Sequence, residues 1–356
     1  MRVAPLLLVL TVLCSPLARG DPLQHEFLLL PSAEAVGTFD RHAPVTRIVD
    51  EVLKADTLFS LETGPFKLFG EYLLSDHEGD LERFQLGWQM SDDTVIWIGR
   101  YHQPTSVWNH DHHHGQYLQT SISRPSIDEW EDLGGVLPQH FTGMLIESSR
   151  PAFGWRLRTA FGAGIAPQLT ADGLEPFDLV HPDSDHHRLG YQARASLHPD
   201  ELTETGYGLL AAQDAMPTVG LLPPALLGLQ YVDLRLLGAF ATYAGTTWKV
   251  SATVYHAQAQ LHYTGSLVND NFEVGYVEIE RRLPFDLTGF ARWEDARAAA
   301  GSAYLKLFEE FARSRHVIGL RWDFAQAQAL TTQLTDSHTL SGRFSDIRLQ
   351  WSAALF

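Results

Sequence analysis

The sequence predicts an all-β chain, a transmembrane antiparallel β-barrel of about sixteen strands within a range of fourteen to eighteen. Three observations carry this. Apolar and polar residues alternate with period two. The alternating runs are about ten residues long, the length of a tilted membrane-crossing strand. Short and long connections alternate along the chain, as in a barrel with tight turns on one side and loops on the other. Strands in lipid cannot leave backbone groups unpaired, so spanning strands must close.

The chain opens with Arg2, the apolar run "PLLLVLTVL" and a small-residue "ARG" before Asp21. Residues 1–20 read as a secretory signal peptide and 21–356 as the barrel domain. Cys14 lies in the leader, so the remainder has no cysteine, which fits an envelope protein without disulfides. No later stretch approaches twenty apolar residues. Fifteen strands are expected from residue 54 onward. An even number puts both termini on one side, so one more is expected in 25–50, with "HEFLLLP" as its best run.

The strands then follow in order. Phe84, Leu86, Trp88 and Met90 oppose Arg83, Gln85, Gly87 and Gln89. Trp155, Leu157, Thr159 and Phe161 oppose Arg156, Arg158, Ala160 and Gly162. Tyr191, Ala193 and Ala195 oppose Gly190, Gln192 and Arg194, after Arg188 and Leu189. Trp248, Val250, Ala252 and Val254 share a face, as do Ile318, Leu320, Trp322 and Phe324 beside Arg321. Ile347, Leu349 and Trp351 alternate with Arg348, Gln350 and Ser352. A polar face of arginine, glycine and glutamine suits a wet lumen. Short links are expected at 63–65, 91–93, 149–154, 198–205, 244–247, 284–286 and 325–326. Longer ones are expected at 76–80, 102–140, 164–186, 214–227, 265–270, 295–314 and 335–341. The run "AYLKLFEEFAR" (303–313) reads as a strand or as a helix in a loop.

The formal net charge is −17, and −19 once Arg2 and Arg19 leave with the leader. Such a bulk field excludes nucleic acid as a partner. The 102–140 segment is too long for a simple turn, and Trp108, Tyr117, Leu118, Ile122, Pro125 and Trp130 give it apolar surface to pack. It is expected to fold into or over the barrel and narrow it. Its charged residues are Asp111, Arg124, Asp128, Glu129, Glu131 and Asp132. Arg83, Arg100, Arg156, Arg158, Arg188, Arg194, Arg321 and Arg348 are expected on the inner wall, as a positive track or as braces for carboxylates.

Two other chemistries are open. His110, His112 and His114, with Asp111, could ligate a divalent metal, and imidazole with carboxylate suits zinc, nickel or copper. In an extended segment His112 and His114 share a face and His113 does not. The second long loop adds His181, Asp183, Asp185, His186 and His187. A hydrolase could draw on Ser106, Ser121, Ser123, His102 and His140, but no nucleophile elbow appears, so no catalytic residue is assigned and no cofactor is expected beyond such a metal.

The chain resembles Gram-negative outer-membrane porins in this pattern and in its terminal Phe356. It more closely resembles relatives of the phosphate-selective porin (porin O and P) group, through "IGRYHQPTSVWN", "GQYLQTSISRP", "EDLGGVLPQHFTG" and "GLRWDF". The resemblance implies a bacterial outer-membrane location and a channel for passive diffusion of small polar solutes or ions. It also implies contact with membrane lipid and lipopolysaccharide and delivery to the barrel-assembly machinery through Phe356, and it admits a homotrimer. Phosphate preference does not carry over, because the long loop has only Arg124 against five carboxylates. The expectation is a weak cation preference, weakened at low pH as loop histidines charge. A His/Asp-rich metal-binding protein and a hydrolase stand as the alternatives.

Overall fold

The computed structural model describes residues 23–40, 49–75, 79–113, 115–131, 134–171, 173–177, 187–201, 203–220, 227–308 and 310–356. The expected leader, 1–20, lies outside them, as do His114, Asp132, His181, Asp183, Asp185 and His186.

Along the chain the strands are β1 (Gln24–Asp40), β2 (Val49–Thr63), β3 (Phe66–Ser75), β4 (Gly79–Ser91), β5 (Thr94–His102), β6 (His140–Ala152) and β7 (Trp155–Ile165). A short ribbon, β8 (Gln168–Leu169) and β9 (Leu174–Glu175), lies in the next loop. Then come β10 (Leu189–His198), β11 (Gly206–Pro217), β12 (Leu229–Ala244), β13 (Trp248–Tyr263), β14 (Ser266–Leu283), β15 (Leu287–Arg297), β16 (Ser314–Ala325), β17 (Gln328–His338) and β18 (Arg343–Ala353).

Sixteen of these, all but β8 and β9, form one closed antiparallel barrel of sequential neighbours. The first strand closes the ring by pairing with β2 on one side and β18 on the other. The run "HEFLLLP" is the start of β1, which continues well beyond its apolar part to Asp40. Turns on one rim are tight. Between β6 and β7, Phe153 and Gly154 both have positive φ, 54° and 78°, the mirror-image turn whose twist matches a hairpin. The described residues of 303–313 are neither strand nor α-helix; they are loop with one 3-10 turn, Leu305–Leu307. The expected long link at 265–270 is also absent. β13 turns into β14 at Thr264–Gly265, and Gly265 takes φ 85°.

The outer face is apolar in a band around the barrel. Leu86, Trp88, Phe161, Leu209, Leu237, Val254, Ile318, Trp322, Ile347 and Leu349 are all exposed there, while Gln85, Arg194, Glu278, Arg321 and Gln350 point inward and are buried. A surface of this kind is stable against lipid and costly in water.

The wet-lumen expectation needs one correction. β12, β13 and β14 are 16 to 18 residues long, more than a bilayer requires. Beyond Tyr255 and Tyr276 their polarity inverts. Gln258 and Arg235 face outward, while Val232, Leu234, Leu236, Ala257, Ala259, Leu261, Phe272 and Val274 face inward and are buried. These form one core with Val107, Trp108, Val136 and Leu137 of the long loop and Tyr304, Leu305 and Phe308 of the 298–313 loop. Near the loop rim, this side of the barrel is a packed hydrophobic interior.

Candidate functional site

Segment 103–139 leaves β5 and returns to β6. Its neck is closed by Gln103 N–H donating to the Gln139 carbonyl at 2.7 Å. A short helix, α1 (Val107–His112), follows, capped by Ser106, whose Oγ accepts from Asn109 N–H at 3.4 Å. Asn109 ties the halves of the loop together. Its Nδ2 donates to the Asp128 carbonyl at 2.8 Å and to Gln139 Oε1 at 3.0 Å, and its Oδ1 accepts from Arg124 at 2.6 Å.

The segment then reaches the opposite side of the ring. Arg321 on β16 donates to the carbonyls of Tyr117 and Gln119 at 2.8 and 2.7 Å. Gln333 on β17 accepts from Ile122 and Ser123 N–H at 2.9 and 3.2 Å. Thr120 and Ser121 donate to Glu280 and Glu278 on β14, and Ser126 to Glu294 on β15. Arg292 on β15 joins these contacts. It donates to Glu278 and Glu294, to Ser121 and Ser123 Oγ, and to the carbonyls of Ser123 and Arg124, all at 2.9 to 3.0 Å. All these wall residues face inward, so the segment lies inside the barrel and spans from β5 and β6 to β14–β17.

Two cavities flank it, and their linings share no residue. One, of about 410 Å³, lies toward the loop rim and includes Glu34, Lys54, Arg124, Glu129, Glu310, Arg315 and Arg348. The other, of about 510 Å³, lies toward the turn rim and includes Asp111, Arg158, Arg194, Glu201, Glu204, Lys249 and Glu280.

The candidate residues fall into distinct places. Asp111 is exposed in the turn-side cavity, beside His110 and His112. Asp128 is buried and accepts from Ser106 Oγ at 2.8 Å and Tyr255 OH at 3.3 Å. Burial pushes its carboxyl up to about 7 against those two donors. Glu131 is buried with its carboxylate 2.9 Å from His140 Nδ1. Burial would raise it, but His140 and the N–H groups of Gln139 and His140 outweigh that and hold it below the ordinary range. Glu129 lies 3.6 Å from Arg124, which stacks on Trp130. The acids therefore do not line one constriction as a set: Asp128 and Glu131 are consumed inside the loop's own network.

The wall arginines are mostly braced by carboxylates. Arg83 pairs with Glu71, Arg100 with Asp80 at 3.6 Å, Arg156 with Asp93 and Glu201, and Arg321 with Asp323 at 2.8 Å. Arg158 and Arg194 line the turn-side cavity. Arg348 pairs with Glu34 and Asp346, and Arg188 leaves the track to lie over Tyr231 at the rim.

The histidine expectations change most. The segment is helical at 107–112, not extended, so alternation does not apply. Burial with Arg194 holds His110 well below its ordinary value, and burial with Lys249 holds His112 at about 3. Both stay neutral on mild acidification, so the charge they were expected to add at low pH is not available. The serines and histidines weighed for hydrolysis are engaged apart. Ser121 and Ser123 meet Arg292 on the far wall, while His102 and His140 face each other on β5 and β6.

The far-wall anchors Glu278, Arg292, Glu294 and Gln333 went unseen in the sequence. Their signal was present: charged or amide residues at alternate positions between outward Val277, Ile279, Trp293 and Leu334.

No family model matches the sequence, and no curated protein matches it. The narrower porin O and P resemblance therefore rests on its motifs alone. Solved structures do share the fold. The chain is similar to an anion-selective porin from Comamonas acidovorans, at 10% identity and TM-score 0.63, over 94% of this chain and 100% of that one. It is similar to OmpF of Salmonella typhi, at 10% identity and TM-score 0.59, over 95% and 100%. It is also similar to the outer-membrane channel DcaP of Acinetobacter baumannii, at 8% identity and TM-score 0.55, over 96% and 99%.

Proposed function

We propose that this protein is a bacterial outer-membrane channel through which small polar solutes and ions diffuse passively. The observation that carries this is a sixteen-strand barrel, apolar outside, whose interior is narrowed by one loop anchored on both walls. Channel-forming neighbours of the same fold support it. The apolar band takes membrane lipid, with lipopolysaccharide at the loop rim, and Phe356, 94% exposed beyond β18, is available to assembly machinery. Association into a homotrimer belongs to the same reading.

The charge preference we infer is weakly cationic, on different grounds from a count of the loop's acids. In the turn-side cavity Asp111, Glu201, Glu204, Glu278 and Glu280 outnumber Arg158, Arg194 and Lys249. On the loop side Glu34, Glu129 and Glu310 face Lys54, Arg124, Arg315 and Arg348. Near-balance means a small preference, screened over a Debye length of about 8 Å at physiological salt. In a planar bilayer, purified protein should show small stepwise conductance and a reversal potential slightly favouring cations. A silent bilayer with correctly folded protein contradicts the channel, and anion preference at neutral pH contradicts the charge assignment alone.

A further inference from the structure

We propose that Glu71, His102 and His113 form a binding site for one divalent transition cation of the zinc class, inside the barrel. One ligand atom from each lies within 4.8 Å of the others. For three atoms that close, a point within about 2.8 Å of all three exists, against zinc bond lengths of about 2.0 to 2.2 Å. Side-chain rotation of less than about 1 Å per ligand closes the site. Two imidazoles and one carboxylate are a borderline donor set that suits zinc over calcium or magnesium.

The barrel register builds this cluster. His102 on β5 lies opposite His140 on β6, and Glu71 on β3 lies opposite Arg83 on β4. A register shift at Glu71/Tyr72 lets two successive residues, Glu82 and Arg83, both be buried. Asp56 on β2 is buried against Glu71. Four carboxylates, of Asp56, Glu71, Glu82 and Glu131, thus gather in a dry interior around His102, His113 and His140. Arg83 offsets Glu71, and His140 sits between Glu82 at 3.0 Å and Glu131 at 2.9 Å. Carboxyl groups crowded in a low-dielectric interior favour a cation among them. A dication at the midpoint of Glu71, His102 and His113 is placed to supply that charge.

The third ligand comes from the loop. His113 ends α1 with φ 51° and ψ −146°, a conformation that ordinarily belongs to glycine. From there the His113 ring lies beside Glu71 of β3 and His102 of β5. A bound cation would therefore stitch loop to near wall, as Arg292 stitches it to the far wall. The inference stands independently of conduction.

Untagged, folded protein in detergent should be titrated with zinc alone by calorimetry, with folding checked by heat-modifiable migration. The expected result is one equivalent bound, weakened about tenfold or more by His113→Ala and by Glu71→Gln, and left unchanged by the double variant His110→Ala/His112→Ala. Because His102 is buried and its replacement can impair folding, His113→Ala on the loop is the deciding variant. Cobalt in place of zinc should give the visible absorption of a low-coordinate N/O site in the parent and lose it in His113→Ala. Equal affinity of parent and His113→Ala, or loss of binding only in the His110/His112 variant, overturns the site.

Discussion

Arg292→Met should release the long loop from the far wall, with single-channel conductance rising severalfold while the barrel stays folded. Among the described residues, Arg292 is the one side chain that touches Ser121, Ser123 and Arg124 of the loop and Glu278 and Glu294 of the wall together. It is buried, and so are both carboxylates. Removing it strips Glu278 of its buried ion-pair partner, leaves Glu294 with Arg315 at 3.9 Å, and takes the donor from several loop acceptors, a loss of about 3 to 5 kcal/mol for a broken buried ion pair. The cost falls on the loop more than on the sheet, because β14 and β15 keep their backbone ladder. Protease cleavage within 115–131 should appear in the variant and not in the parent. Adding Glu278→Gln to the variant should recover part of the stability, because it removes the stranded charge. Unchanged conductance and unchanged protease resistance would mean that Arg292 braces the wall only.

The second large effect concerns the polarity inversion. Leu261→Asp should destabilise the barrel by at least the roughly 2 to 5 kcal/mol of a buried leucine truncation, although Leu261 points to the inside of the barrel. Leu261 is fully buried with Val232 and Leu229 in the core that the loops complete. Gln258→Asp, exposed on the outward face directly opposite Arg235, should be nearly neutral, since the outward residues at this height are polar. Val254→Arg, outward and 54% exposed in the apolar band, should cost about 2 to 4 kcal/mol near the bilayer midplane. Thermal melts of the folded protein in lipid vesicles give all three values. Tolerance of Leu261→Asp would restore a wet lumen at that level.

The barrel was legible because lipid imposes a period. Phe84, Leu86, Trp88 and Met90, or Ile318, Leu320, Trp322 and Phe324, alternate because one face of each strand must meet lipid, and a slip of one residue would turn every side chain to the wrong face. Alternation does not say which face is inside once a strand outruns the bilayer. In β13 the outward set passes from Trp248 and Val254 to Gln258 and Gln260 without a break in rhythm. The loop's entry was legible from its length and aromatics. Its anchors were not, since Ser123 and Gln333 are 210 residues apart and nothing local links them. The fate of Asp128 and Glu131 was equally hidden. Counting acids assumed solvent, whereas Tyr255 and His140 reach them through tertiary packing. His113 escaped because its ring direction depends on one backbone conformation at the end of a six-residue helix.

The 103–139 segment crosses the barrel and rests on β17, and the channel reading depends on that placement. Ser123 and Gln333 mark the contact, with Gln333 Nε2 donating to Ser123 Oγ at 2.8 Å. Apart from Cys14 in the expected leader, the chain has no cysteine to interfere. Ser123→Cys and Gln333→Cys should be combined in one protein and treated in intact outer membranes by mild oxidation or a short thiol cross-linker. Near-complete bridging between the two introduced thiols is the expected result, with neither of them reacting with an external membrane-impermeant maleimide at the rate of a surface loop. Two unbridged thiols, with the one at position 123 labelled at that fast rate, would place the loop outside the barrel and contradict it.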